Sequence, residues 1–163
     1  MLSGSTLPLR LGSRGRHPRR ARMTNAAKKR SGTMSDAFQT HGAFSWCELQ
    51  TDDAEKAKAF YRDVVGWETE PMEMADGGTY TVLKAGDQHV GGILQRPPEM
   101  ADLPVRWASF ITVDDVDKRA AAATAGGAEL LGQPFDVPGV GRIVTLKDPL
   151  GALISLITYE KKD

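Results

Sequence analysis

The sequence predicts an α+β domain in which two β-α-β-β-β modules share one cupped, mixed sheet. Three observations lead there. The order strand, capped helix, glycine stop and three turn-separated strands runs from Phe44 to Pro97 and recurs from Val105 to Tyr159. Three consecutive strands after each helix fit a mixed sheet rather than a doubly wound parallel one. And one helix on a few strands cannot bury both faces of its sheet, so the two halves must combine and leave a cleft between them.

Taken in order, residues 1–38 read as a basic, disordered leader and residues 39–163 as a single domain, with modules at 42–98 and 103–160. Phe44 to Thr51 is the first strand, where period-two alternation puts Trp46 and Glu48 on one face and Ser45, Cys47 and Leu49 on the other. Asp52, with Glu55 three residues on, predicts a capping-box start to a helix. That helix carries a stripe of Ala54, Ala57, Phe60, Tyr61 and Val64 and stops at Gly66. Strands near Trp67–Glu73, Thr79–Lys84 and Gln88–Gln95 follow, separated by Asp76-Gly77-Gly78 and Ala85-Gly86-Asp87. Arg96 to Pro104 is a linker. The second module repeats the pattern: a strand near Arg106–Val113, then a helix from Asp114/Asp115 with a Val116, Ala120, Ala123 stripe, ended by Gly126-Gly127. Strands near Glu129–Val137, Arg142–Leu146 and Ala152–Thr158 complete it, with turns at Pro138-Gly139 and Asp148-Pro149-Leu150-Gly151.

Composition narrows the function. The formal net charge of +0 conceals a split, because residues 1–33 hold seven Arg and two Lys and no acid. Of 21 basic and 21 acidic residues, twelve basic and all 21 acidic ones remain for the body, a net −9. Phosphate contacts on such a body begin from repulsion, so neither nucleic acid nor an anionic membrane is an expected partner. No apolar run approaches the ~20 residues of a membrane span. The lone Cys47 excludes an internal disulfide and fits a reducing, cytoplasmic compartment. The leader is open to three readings: a transit peptide, a nucleic-acid-binding arm, or upstream sequence ahead of a true start at Met23 or Met34, the last being preferred. Arg19-Arg20 lacks the apolar stretch of a twin-arginine signal. No Gly-rich strand-to-helix loop marks a dinucleotide or P-loop site.

WCELQTDDAEKAKAFYRDVVGW in the first half, and FITVDDVDKRAAAATAGGAE with TLKDPLGALISLI in the second, resemble the vicinal oxygen chelate superfamily of glyoxalase I, bleomycin-resistance proteins and extradiol dioxygenases. The resemblance implies a ligand inside the cup and, in the enzymes, a divalent metal held by the first and last strand of each module. It places the first-strand ligands seven residues before the helix-opening acid, which is Trp46 from Asp53 and Ala108 from Asp115. The second last-strand position falls four residues past Gly151, at Ser155, and its first-module counterpart lies within Val90-Gly91-Gly92-Ile93. None of these supplies a carboxylate or imidazole, whereas a divalent ion needs several such donors meeting at one point. No metal or other cofactor is therefore predicted.

The predicted site is instead Glu48 as a buried base, with Trp46, Ala108, Ser155 and Tyr80 contributing to the ligand surface. The bland alternatives are a structural ion pair for Glu48, core filling for Trp46, and neighbour hydrogen bonding for Ser155. The direction of Tyr80 stays open. His89 reads as a satisfied lone histidine, Cys47 as a buried small hydrophobe facing the helix, Phe60 and Tyr61 as core, and Trp67 and Trp107 as packing residues. The expected function is binding of a small, partly apolar organic ligand without a metal, in a homodimer. The alternatives are a metal-dependent glyoxalase-type lyase or dioxygenase, and nucleic-acid association through the leader.

Overall fold

The computed structural model describes residues 37–74 and 77–161. Readings of the leader and of Asp76 fall outside them. Within them the chain forms strand β1 (Phe44–Thr51), helix α1 (Ala54–Val65) and strands β2 (Glu68–Glu73), β3 (Thr79–Ala85) and β4 (Gln88–Gln95). A short 3-10 turn at Pro98–Met100 leads to β5 (Arg106–Thr112), α2 (Val116–Ala125), β6 (Glu129–Leu130), β7 (Phe135–Val137), β8 (Gly141–Lys147) and β9 (Leu153–Tyr159). The strands make one sheet in the order β2-β3-β4-β1-β5-β9-β8-β6, with β7 beside β8. In each module the last strand runs parallel to the first, β4 on β1 and β9 on β5. The modules join within one chain through the antiparallel pair β1–β5, which sets Glu48 opposite Ala108 and Gln50 opposite Arg106.

Local chemistry explains the elements and several departures from expectation. Asp53, not Asp52, caps α1: its side chain accepts from the Lys56 backbone N–H at 2.8 Å, the bond an N-cap makes to the third helical residue. Asp52 instead accepts from Arg96 Nε and Nη2 at 2.9 and 2.6 Å and ties the linker to the helix start. Gly66 ends the helix in the left-handed region, φ 73°, where a side chain is disfavoured. Ala54, Ala57 and Tyr61 pack on Leu49, Leu83 and Ile93, but Phe60 and Val64 are 56% and 62% exposed. Phe60 sits one position, about 100° of helix rotation, off the row that faces the sheet, and Val64 lies in the last turn of the helix. Phe60 is therefore not core. Asp115 caps α2 by accepting from the Lys118 N–H, and Val116 and Ala120 are buried beneath it with Val113 and Val144.

The single strand predicted over Glu129–Val137 is two short ones, because Pro134 lacks an N–H for the ladder and interrupts the pairing with β8. A bulge between Phe44 and Trp46 breaks the predicted alternation. It lets the Ser45 hydroxyl accept from the Tyr159 hydroxyl at 3.0 Å, while Ser45 itself is buried. Cys47 does face the helix side, yet it is exposed rather than buried. It lies on the β1–β5 seam beside Ser109, while α1 packs over β4 and α2 over β6, β8 and β9. The outer edge strand β2 carries Glu68, Glu70, Glu73 and Pro71, residues that blunt an edge against pairing. No helix among the described residues is long and apolar enough to cross a membrane.

Candidate functional site

The face of the sheet opposite the helices forms the cup, and its centre is the β1–β5 seam. Period two along β1 brings Trp46, Glu48 and Gln50 to this face. From β5 come Arg106, Ala108 and Phe110, and the register makes Ala108 the cross-strand neighbour of Glu48. The Tyr80 side chain also turns into the cup: its ring reaches across β4, and a Cβ built on Gly92 would lie 1.9 Å from the Tyr80 oxygen. Gly92 is the parallel partner of Glu48. Its missing side chain is what admits the phenol.

A chain of hydrogen bonds follows. Trp46 Nε1 donates to the Tyr80 hydroxyl at 2.8 Å, and that hydroxyl lies close enough to the Glu48 carboxyl for each group to perturb the other's titration. Gln50 Nε2 donates to Glu48 Oε1 at 3.1 Å, and Arg106 Nε donates to Gln50 Oε1 at 3.1 Å. Glu48 is only 9% exposed and Tyr80 8%. Loss of solvent raises the Glu48 pKa above the usual carboxylate value, against the hydrogen bonds from Gln50 and Tyr80 and the charge of Arg106. Loss of solvent, with the neighbouring Glu48 charge, also raises the Tyr80 phenol, which stays protonated. Glu48 is thus a desolvated carboxyl held by the Gln50 amide, with a pKa raised above the usual carboxylate value, a form suited to proton exchange.

The remainder of the cup is apolar. Ala108, Phe110 and Ile157 form a buried cluster, with Trp46, Val140, Ile143 and Tyr159 packed around it. Phe38 stands edge-on to Tyr159, ring centroids 4.8 Å apart, and 6.3 Å from Trp46. Ala37, whose carbonyl accepts from Thr112 Oγ1 at 2.7 Å, and Phe38 therefore contact the body although the sequence assigns both to the leader.

The structure brings Trp46, Glu48, Tyr80 and Ala108 together. Ser155 lies beside Phe110, two strands from Trp46, 1% exposed and with its hydroxyl 2.8 Å from Thr145 Oγ1. His89 is 56% exposed and 3.7 Å from Glu70. Tyr61, Trp67 and Trp107 pack together on the helix face, Trp107 Nε1 donating to Tyr61 at 2.9 Å. Gln50, Arg106, Phe110 and the role of Gly92 were missed. The first three continue the Trp46–Glu48 and Ala108 alternations by one step, so period two carried through would have found them.

A divalent ion does not suit the residues at the four positions the resemblance indicates. Trp46 presents an N–H donor already given to Tyr80, Ala108 has no donor, and Ser155 is committed to Thr145. The fourth region, Val90-Gly91-Gly92-Ile93, has no carboxylate or imidazole, and the space over Gly92 is filled by the Tyr80 phenol. Among the described residues no three His, Cys, Asp or Glu side chains gather around one point.

Comparison with known proteins adds to this geometry. The sequence profile of the Glyoxalase/Bleomycin resistance protein/Dioxygenase superfamily matches residues 43–156. CFP32 of Mycobacterium tuberculosis, which carries a provisional glyoxylase name, is 45% identical over 116 residues, covering 71% of this chain and 44% of that protein. The anthracycline biosynthesis protein DnrV of Streptomyces peucetius is 25% identical over 127 residues, covering 71% of this chain and 46% of that protein. This chain spans less than half the length of either relative. Among solved structures, the hypothetical protein BH1468 of Bacillus halodurans superposes with a TM-score of 0.56 at 12% identity, over 76% of this chain and 99% of the other. A Streptomyces coelicolor methylmalonyl-CoA epimerase in complex with 2-nitronate-propionyl-CoA gives 0.52 at 20% identity, over 75% and 100%. At these identities the structural matches establish the fold alone.

Proposed function

The chain belongs to the glyoxalase/bleomycin resistance protein/dioxygenase superfamily, and from that premise we propose that its cup holds a small, partly apolar organic ligand without a divalent metal, with Glu48 as the acid–base group. The observation that carries this reading is the Trp46–Tyr80 hydrogen bond, which sets the phenol beside the buried Glu48 carboxyl in the space left by the side-chain-free Gly92. Trp46, at a position that would serve a metal, instead holds the phenol that occupies the space over Gly92.

The chemistry this supports is proton exchange next to a carbonyl. In its charged form Glu48 accepts the Tyr80 O–H. A carbon acid in the cup gives its proton to that carboxylate, and the protonated Glu48 then donates to the Tyr80 oxygen. The phenolic hydrogen is released to turn toward the ligand oxygen where negative charge develops. Trp46 Nε1–H holds the Tyr80 oxygen in both states. Apolar surface at Trp46 and Phe110 favours an aromatic or aliphatic ligand body, and the name of DnrV, concerned with anthracycline biosynthesis, agrees with that. A ligand screen by tryptophan fluorescence and thermal shift tests the reading. Hits should lose their signal in Trp46→Phe, and Glu48→Gln should abolish solvent-deuterium exchange of a bound carbon acid while leaving it bound. The rival, a metal-dependent lyase, gains if purified protein carries stoichiometric zinc, nickel or manganese and turns over the methylglyoxal–glutathione adduct.

A homodimer completes the proposal. Phe60, Val64 and Trp107 are exposed on the helix face, an apolar surface that a second copy of the chain would cover. Sedimentation should show a dimer that Phe60→Asp dissociates; a wild-type monomer at micromolar concentration opposes it. The free thiol of Cys47 supports a cytoplasmic setting.

A further inference from the structure

Five arginines lie among the described residues, and four of them pair with an aspartate: Arg62 with Asp63, Arg96 with Asp52, Arg119 with Asp114, and Arg142 with Asp117 and Asp136. Arg106 is the exception. It makes no ion pair within 4.0 Å among the described residues, and it is the arginine that the β1–β5 register delivers to the cup face, opposite Gln50. Its only side-chain hydrogen bond there is Nε to Gln50 Oε1 at 3.1 Å.

Gln50 gives this arrangement its meaning. It is 5% exposed and spans the two charged groups, donating to Glu48 on one side and accepting from Arg106 on the other. An amide in this place separates a carboxylate and a guanidinium that would otherwise close into an ion pair. The orientation of the guanidinium is set through Nε, and the edge formed by its two terminal nitrogens meets no acceptor among the described residues. That edge offers two parallel N–H groups at the spacing of two carboxylate oxygens.

We propose that Arg106 is the anchor for a carboxylate on the ligand, so that the cup takes an organic acid: its anionic head on the Arg106 fork, its apolar body on Trp46 and Phe110, and its exchangeable proton beside Glu48. This rests on the ligand-binding reading of the cup given above. A guanidinium kept unpaired inside a body of net −9 is the feature that would overcome the general repulsion of such a ligand.

The test uses matched probes: benzoate, phenylacetate, 2-naphthoate and indole-3-acetate against their primary amides. Binding is read from Trp46 fluorescence and by calorimetry in the full chain at fixed ionic strength. The acids should bind at least tenfold more tightly than the amides. Arg106→Gln should bring the acids down to the amide level and leave the amides unchanged, and Arg106→Lys, which keeps the charge but lacks the fork, should fall between. Matching thermal stability of the two variants shows that the effect is not one of folding. Amides that bind as well as acids, or an acid preference that survives Arg106→Gln, overturns the assignment while leaving the cup as a ligand site. Probes of both kinds that bind without perturbing Trp46, or no binding by either, removes the cup reading and this anchor with it.

Discussion

Replacing Gly92 with alanine asks whether the centre of the cup is built around Tyr80. The backbone at Gly92 does not lie in the left-handed region, so alanine is accepted there without conformational strain. The added Cβ, however, would stand 1.9 Å from the Tyr80 oxygen, 2.3 Å from Cζ and 2.6 Å from Cε1. Ordinary contact begins near 3.4 Å, so the rigid ring must withdraw by about 1.5 Å. A shift of that size breaks a 2.8 Å hydrogen bond from Trp46 and uncouples Tyr80 from Glu48. Overpacking costs roughly 1–3 kcal/mol and each buried hydrogen bond lost roughly 1 kcal/mol, about 3 kcal/mol together. Urea denaturation measures this, and a cycle with Tyr80→Ala isolates it: without the ring, the Gly92→Ala penalty should shrink to about 0.5 kcal/mol or less. An equal penalty in both backgrounds would refute the packing argument, since the clash would then involve something other than Tyr80.

Three further outcomes follow from the same coordinates. Burial raises the Glu48 pKa, so the stability this group contributes is complete below its ordinary value of 4.5 and is lost as pH rises through the elevated folded value. Glu48→Gln should therefore gain on wild type as pH rises above 4.5 in thermal melts, and a gap that narrows with rising pH would contradict the direction of the shift. Asp53→Ala removes the α1 cap and should cost about 1 kcal/mol, whereas Asp53→Asn should cost far less; equal losses would mean charge rather than the Lys56 N–H bond is at work. Phe38→Ala uncovers part of the Trp46 ring, and acrylamide quenching should increase relative to wild type but not in a Trp46→Phe background.

Much of this was legible in the chain, and the exceptions share a cause. Repetition of strand, capped helix and glycine stop was enough to define both modules, because caps, turn glycines and period-two strands are local signals. Trp46 and Glu48 were correctly paired on one face for the same reason. What escaped depended on partners distant in sequence. Tyr80 enters the cup only because Gly92, on the neighbouring strand, has no side chain. Cys47 is exposed because two helices, each packed on its own module, leave the seam between them bare. That Arg106 meets the Gln50 amide rather than a carboxylate rests on a cross-module pairing that no spacing reveals. The Ser45 bulge reversed a prediction that alternation alone had made.

The chain contains three tryptophans, one in the cup and two on the helix face, and their indole N–H resonances read the two faces separately. Titration with a carboxylate ligand, followed in a nitrogen-15 correlation spectrum, is the most direct test of where binding occurs. The Trp46 resonance, whose proton is donated to Tyr80, should shift and saturate while those of Trp67 and Trp107 remain in place. Saturating shifts of Trp67 and Trp107 with an unmoved Trp46 would put the ligand on the opposite side of the sheet and contradict the account.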